Sequence, residues 1–208
     1  MAKHDKIEVG VSTILNPVPV VMVSSAGKDP GTAEGRPNIM TAAWAGTVNS
    51  DPPMVSVSVR KERYSHGLIQ DSSEFVVNLV DEAMARATDF CGVKSGRDTD
   101  KAKETGLRYM PADGMETAPA VQGAPVSLCC KVRRTLELGS HDMFIGEIVS
   151  VMVREELLDG NGSLHMEKAR LVAYSHGLYH EIGKVMGFVG WSVARDEVLE
   201  RRMKEYRG

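Results

Sequence analysis

Stretch after stretch of this chain alternates apolar and polar side chains with a period of two, and little that is helical separates one stretch from the next. The plainest is 54–59, where Val55, Val57 and Val59 point one way and Ser56 and Ser58 the other, as in a half-buried strand. Similar reasoning places strands at 18–24, 39–48, 75–80, 126–136, 143–154 and 170–174. Helices are expected at 65–70, 82–91, 98–105, 166–169 and 194–206. A doubly wound parallel sheet would alternate strand and helix, and this chain does not. Strands in direct succession, with GSHD at 139–142 as a hairpin turn between two long ones, predict a mainly β fold, an antiparallel barrel with helical insertions. The final helix stands apart, with Glu197–Arg201 and Glu200–Lys204 spaced for i,i+4 pairs and only Val198 and Met203 to bury. The expected division is therefore a domain over 1–192 and a charged helix over 193–208 that is solvated or bridges subunits.

Several function classes are disfavoured at once. A net charge of −3 and a pI near 6.1 lack the basic excess of a nucleic-acid-binding surface. No apolar run approaches the ~20 residues of a membrane span, and MAKHDKIEVG has no apolar signal core, so a cytoplasmic protein is expected. Three cysteines without a C-x-x-C pair give no zinc or iron–sulfur signature. Cys129 and Cys130 read as buried thiols, while the role of Cys91 stays open. DGNGSLHME begins like a calcium loop but carries Leu164 and Arg170 where glycine and glutamate belong, so it reads as a turn. His176 and His180 have no third ligand in pattern, and no metal is expected. Rossmann, P-loop and G-x-S-x-G motifs are absent.

One charge pattern asks for an explanation. Arg60, Lys61 and Arg63 precede Ser65 at an expected helix start, where the helix dipole disfavours cations. A bound phosphate would resolve this by accepting helix N–H bonds while the cations neutralise it. The competing reading is a solvated loop with Ser65 as an ordinary N-cap. NIMTAAWAG at 38–46 adds a run of small residues around Trp44, a surface on which a flat ligand can approach the backbone. A phosphate pocket beside a narrow platform suits a phosphorylated planar cofactor such as FMN or pyridoxal phosphate. Tapered barrel packing accounts for the small residues equally well.

NIMTAAW, SDPPMVSVSVRKERYSHGLI, EFVVNLV, FCGVKSGRDTDKAKETGL and LGSHDMFIGEIVSV stand in the order and spacing of the flavin reductase-like, split-barrel FMN-binding family. The resemblance runs from about residue 10 to 190 and is strongest to the flavoredoxin branch. It implies an antiparallel split β-barrel that binds FMN and pairs as a homodimer. By the same resemblance Asn38 and Trp44 lie near the flavin and the backbone of Thr41, Ala42 and Ala43 faces its ring. Ser58, Arg60, Lys61 and Ser65 surround the phosphate, and Asn78 runs along the ribityl chain. Lys101, His141 and Tyr174 reach the cofactor, and His141 is the candidate catalytic residue. Cys91 replaces the small hydroxyl of an F-S-G pattern.

The implied function is an FMN-dependent oxidoreductase that takes electrons from NAD(P)H or a redox protein and passes them to flavin, ferric or protein acceptors. The rival is a non-enzymatic FMN electron carrier. A pyridoxamine-oxidase-like barrel shares the architecture but fits these blocks poorly. Positive charge near the ring, from Lys101 or protonated His141, would favour the reduced flavin.

Overall fold

The computed structural model describes residues 6–207; residues 1–5, half of the MAKHDKIEVG stretch, lie outside the described part. The chain opens with β1 (Val18–Pro19), β2 (Val21–Ser25), β3 (Asn38–Ala42), β4 (Ala45–Ser50) and β5 (Pro53–Arg60). Helix α1 (Tyr64–Ser72) and β6 (Glu74–Leu79) follow, then α2 (Ala85–Val93) and α3 (Lys101–Thr105). A short pair, β7 (Tyr109–Met110) and β8 (Ala120–Val121), precedes the long hairpin of β9 (Val126–Glu137) and β10 (His141–Val153). The chain closes with β11 (Val172–Ser175), β12 (Leu178–Glu181) and α4 (Asp196–Arg207).

Seven strands form one antiparallel sheet in the order β3-β2-β6-β9-β10-β5-β4. Its two edges, β3 and β4, are consecutive in sequence and separated only by Ala43 and Trp44. The sheet must therefore curl until its edges almost meet. This corrects the expected single strand over 39–48, which breaks at the point where the chain steps from one edge to the other.

The interior of the curl is the main core. Met40 and Ala42 from one edge meet Val55, Val57 and Val59 beside the other, around Phe75, Cys130 and Phe144. Each large side chain buried this way contributes about 1.5–3 kcal/mol. The alternation in β5 thus does what the sequence requires, with all three valines inside. At Gly146 of β10 an added Cβ would stand 2.6 Å from the Phe75 ring and 2.9 Å from Cys130 Cβ, so glycine lets the facing strands pack.

Outside the curl, a second cluster of Val20, Met22, Ile39, Met84, Cys91 and Val172 seats α2 and the small β1-β11-β12 sheet. Strand β12 was not expected from sequence, because Leu178–Glu181 is exposed throughout and has no apolar alternation. The irregular 106–125 region is anchored by one buried carboxylate. Glu74 accepts hydrogen bonds from the backbone N–H groups of Glu116, Thr117 and Ala118 and from the Thr117 hydroxyl. Burial alone would raise the Glu74 pKa, but these bonds outweigh it and hold the carboxyl below its usual range.

Two turns differ from expectation. The hairpin turn falls at 138–140, so His141 is the first residue of β10, paired with Arg60 of β5, rather than part of a loop tip. Helix α1 begins one residue early, with Arg63 at the N-cap position and no side chain capping it. Ser65 is therefore the second helical residue and not the cap. In α4, Met203 is buried and the Arg202 guanidinium lies 4.4 Å from the centre of the Phe188 ring.

Candidate functional site

A cleft of about 280 Å³ lies between β3, the start of α1 and the segment joining α2 to α3. Strand β3 supplies Asn38, Met40 and Thr41; the turn into α1 supplies Glu62, Arg63, Tyr64 and Ser65. Cys91, Gly92, Lys94, Ser95, Gly96 and Lys101 close the other side. Three cations and one carboxylate face this space, beside a helix N-terminus that no side chain caps. Backbone donors, the helix dipole and fixed positive charge therefore converge as an anion site requires.

The walls are held by specific contacts. Asn38 Nδ2 donates to Ser65 Oγ at 2.8 Å, tying the edge strand to the helix. The Thr41 hydroxyl donates to the Thr88 carbonyl, tying β3 to α2. A Cβ at Gly96 would fall 2.2 Å from Asn38 Oδ1 and 2.8 Å from the Tyr64 ring, so only glycine lets the 94–97 loop lie this close. Arg36 Nη2 donates to the carbonyls of Gly96, at 2.7 Å, and Arg97, at 3.3 Å, and fixes that loop by its backbone.

Lys101 is buried, and its Nζ donates to the carbonyls of Ile39 at 2.8 Å and Cys91 at 2.7 Å. Two of its three hydrogens are thus fixed, which leaves one for a ligand. Burial pulls its pKa down to about 8, so the ammonium persists at neutral pH. Burial pushes the Cys91 thiol up to about 11, with Lys101 offsetting this only in part. Cys91 is a neutral thiol in the wall at neutral pH, and no nucleophilic thiolate is set up there.

Of the residues singled out from sequence, Asn38, Thr41, Ser65, Cys91 and Lys101 come together in this cleft. Ala42 points into the barrel core, and Ala43 and Trp44 form the corner between β3 and β4. Trp44 is half exposed, with its ring centre 4.7 Å from that of His141, and its carbonyl accepts from the Ser58 N–H. Trp44, Ser58, Arg60 and His141 thus gather at one end of β4, β5 and β10, and none of them lines the cleft.

Three residues named from sequence lie outside the cleft. Asn78 is wholly buried; its amide donates to Met22 O and Ser24 Oγ and accepts from Val121 N and Ser127 Oγ. With both ends satisfied inside the fold it is a packing hub and does not reach the cleft. Lys61 pairs with Glu137 at 2.9 Å and Asp142 at 3.4 Å, so its charge is engaged on the β9–β10 side. Asp142 also lies 2.8 Å from buried His66 Nε2; that bond and Lys61 hold its carboxyl below the usual range. Tyr174 packs against Tyr179 in the small sheet, outside the cleft lining. Arg63, read from sequence as one of the cations facing a phosphate, lines the cleft, and so do Lys94 and the glycines of GVKSGR, which had not been assigned to it. The lysine–serine–glycine run after α2 was the available signal.

The flavin reductase like domain family matches residues 14–183, over four-fifths of the chain. The chain belongs to this family. It is similar in structure to the flavoredoxin of Desulfovibrio vulgaris (Miyazaki F), with a TM-score of 0.79 and 32% identity over 88% of this chain and 96% of that one. The flavoredoxin of Methanosarcina acetivorans superposes with a TM-score of 0.81 at 28% identity, covering 92% of this chain and 100% of the other. An FMN-binding protein from Thermus thermophilus shares the fold at 24% identity, with a TM-score of 0.69 over 87% of this chain and 96% of that one. The fold is thus an antiparallel split β-barrel, and the family is one of flavin-linked oxidoreductases.

Proposed function

We propose that this protein binds FMN with the phosphate in the cleft at the start of α1 and works as an NAD(P)H-dependent oxidoreductase. The observation that carries the reading is the cleft itself: an uncapped helix N-terminus, Ser65, and the cations Arg63, Lys94 and Lys101, all facing one space. These residues fit a phosphate monoester, which presents about two negative charges and three acceptor oxygens at neutral pH. Bound FMN would supply hydride acceptance and electron transfer, which no side chain here can perform.

The chain's own part is binding and orientation. Arg63 and Lys94 neutralise the phosphate, and Lys101 offers its remaining N–H into the cleft while its other two stay on carbonyls. The Asn38–Ser65 bond fixes the distance between β3 and α1. The cleft is slightly smaller than the roughly 300–1,000 Å³ of complete ligand pockets, which suits the phosphate end of such a cofactor. A second copy of the chain is our candidate for covering the cleft. Exposed apolar side chains at Ile7, Val9, Val11 and Leu15, and at Met186, Val189 and Val193, support a homodimer.

The rival reading, an FMN carrier reduced by a protein donor, shares every binding residue. The two separate in an anaerobic stopped-flow titration. FMN released on denaturation, with bleaching by NADH or NADPH at a saturable rate, supports the oxidoreductase. FMN that only a redox protein reduces supports the carrier, and absence of FMN overturns both.

A further inference from the structure

The cleft shares a single lining residue, Tyr64, with a second cavity of about 480 Å³. Tyr64 is the first residue of α1, so it stands where the helix N-terminus meets the cleft. Its hydroxyl lies 3.1 Å from the carbonyls of both Ala33 and Glu34, and the Arg97 guanidinium covers its ring at 5.7 Å. The Gly96 backbone packs against it closely enough that a Cβ would be 2.8 Å from Cδ1. The ring is therefore held on three sides as a wall.

Charge changes sign across that wall. The cleft side carries Arg63, Lys94 and Lys101 against Glu62; the far side carries Asp29, Glu34 and Asp71 against Arg97. Asp71 is occupied by the Lys28 N–H at 2.6 Å. The Asp29 and Glu34 carboxylates have no hydrogen-bond or ion-pair partner among the described residues, which leaves an acidic excess on this side against Arg97.

Resting on the cofactor reading above, we infer that Tyr64, with Asp29 and Glu34 behind it, is a specificity-determining element that restricts the flavin to its mononucleotide. A terminal monophosphate ends at the α1 N-terminus and brings about two charges to the cationic side. In a dinucleotide the same phosphate is esterified and carries one charge, and a second phosphate and an adenosine continue from it. That continuation meets the Tyr64 wall and, past it, a cavity of like charge, where repulsion adds to lost space.

The test compares FMN and FAD affinity by quenching of flavin fluorescence, in wild type, Asp29→Asn/Glu34→Gln and Tyr64→Ala. Wild type should favour FMN by tenfold or more. Neutralising the two carboxylates should leave FMN affinity within about twofold and tighten FAD by about three- to tenfold at low salt, with the gain fading in 0.5–1 M salt, on the order of magnitude expected for screened surface charge. Tyr64→Ala should narrow the FMN-to-FAD ratio at any salt concentration. A wild type that binds both flavins equally, or an unchanged ratio in both variants with FMN binding intact, overturns the inference alone. A wild type with no saturable FMN binding overturns the cofactor reading and this inference with it.

Discussion

The Asn38 amide and the Ser65 hydroxyl meet at 2.8 Å with both side chains buried, so the edge of the sheet and the start of α1 share one polar contact. Removing either partner strands the other, at a cost of about 1–3 kcal/mol. Ser65→Ala and Asn38→Ala should each lower stability to urea by that amount. The double variant should cost less than their sum, because the second change removes an already unpaired group. Additive losses would mean that the contact is incidental.

The basic cluster can be dissected one residue at a time. Arg63 lines the cleft, the Arg60 guanidinium pairs among the described residues with Glu62 alone, at 3.5 Å, and Lys61 is engaged with Glu137 and Asp142. A charge-assisted bond to phosphate is typically worth ~1.5–3 kcal/mol, so Arg63→Ala should weaken FMN about ten- to a hundredfold. Arg60→Ala should weaken it by less than about threefold, the scale of one exposed charge. Titrating apoprotein with FMN decides the order, and the reverse order would move the phosphate toward the end of β5.

Lys101 gives the free protein and the complex opposite responses to alkali. The unfolded side chain holds its proton to near 10.5 and the folded one only to about 8. Between those values the unfolded state binds more protons, so the free protein should gain stability as pH rises through that window. FMN affinity should fall over the same rise, because the cation facing the ligand is lost. Lys101→Met should flatten both curves, measured by urea unfolding and FMN titration from pH 7 to 10.

Glu74 should contribute to the acid limb. Its folded pKa is held below the unfolded value near 4.5, so its contribution is fully present above that value and lost as pH falls through the folded one. Glu74→Gln should cost about 2 kcal/mol or more at pH 7, since hydrogen bonds to a charged acceptor are removed. It should also show a shallower loss of stability below pH 4.5 than wild type. Parallel acid curves would indicate that another carboxylate controls the limb.

These residues also show what was legible in advance. Val55, Val57 and Val59 announced β5 because all three pack into the core while Ser56 and Ser58 take the opposite face. Leu178–Glu181 gave no sign of β12 because neither of its faces is buried. The break at Ala43–Trp44 was invisible because alternation reports which face a residue takes and not which sheet edge the chain occupies. At the cleft, the excess of charge before α1 was legible as a local pattern. Which cation faces inward was not, since that depends on where β5 stops and on Glu137 and Asp142, distant in sequence, claiming Lys61. The packing of Asn78 was hidden for the same reason: its partners at Met22, Val121 and Ser127 come from three other strands.

The grip of Arg36 on the loop beside the cleft is made entirely through carbonyl oxygens, at Gly96 and Arg97. A grip on the main chain holds this wall independently of the side chain at 94, while at Gly96 a Cβ would collide with Asn38. Ser95 and Arg97 do use their side chains, on the Arg97 N–H and on Tyr64 and the Glu62 carbonyl, but the Lys94 side chain has no hydrogen-bond or ion-pair partner among the described residues and is free to vary in charge without displacing the wall. The electrostatics at this site can thus be retuned through a single codon while the scaffold that builds it stays unchanged.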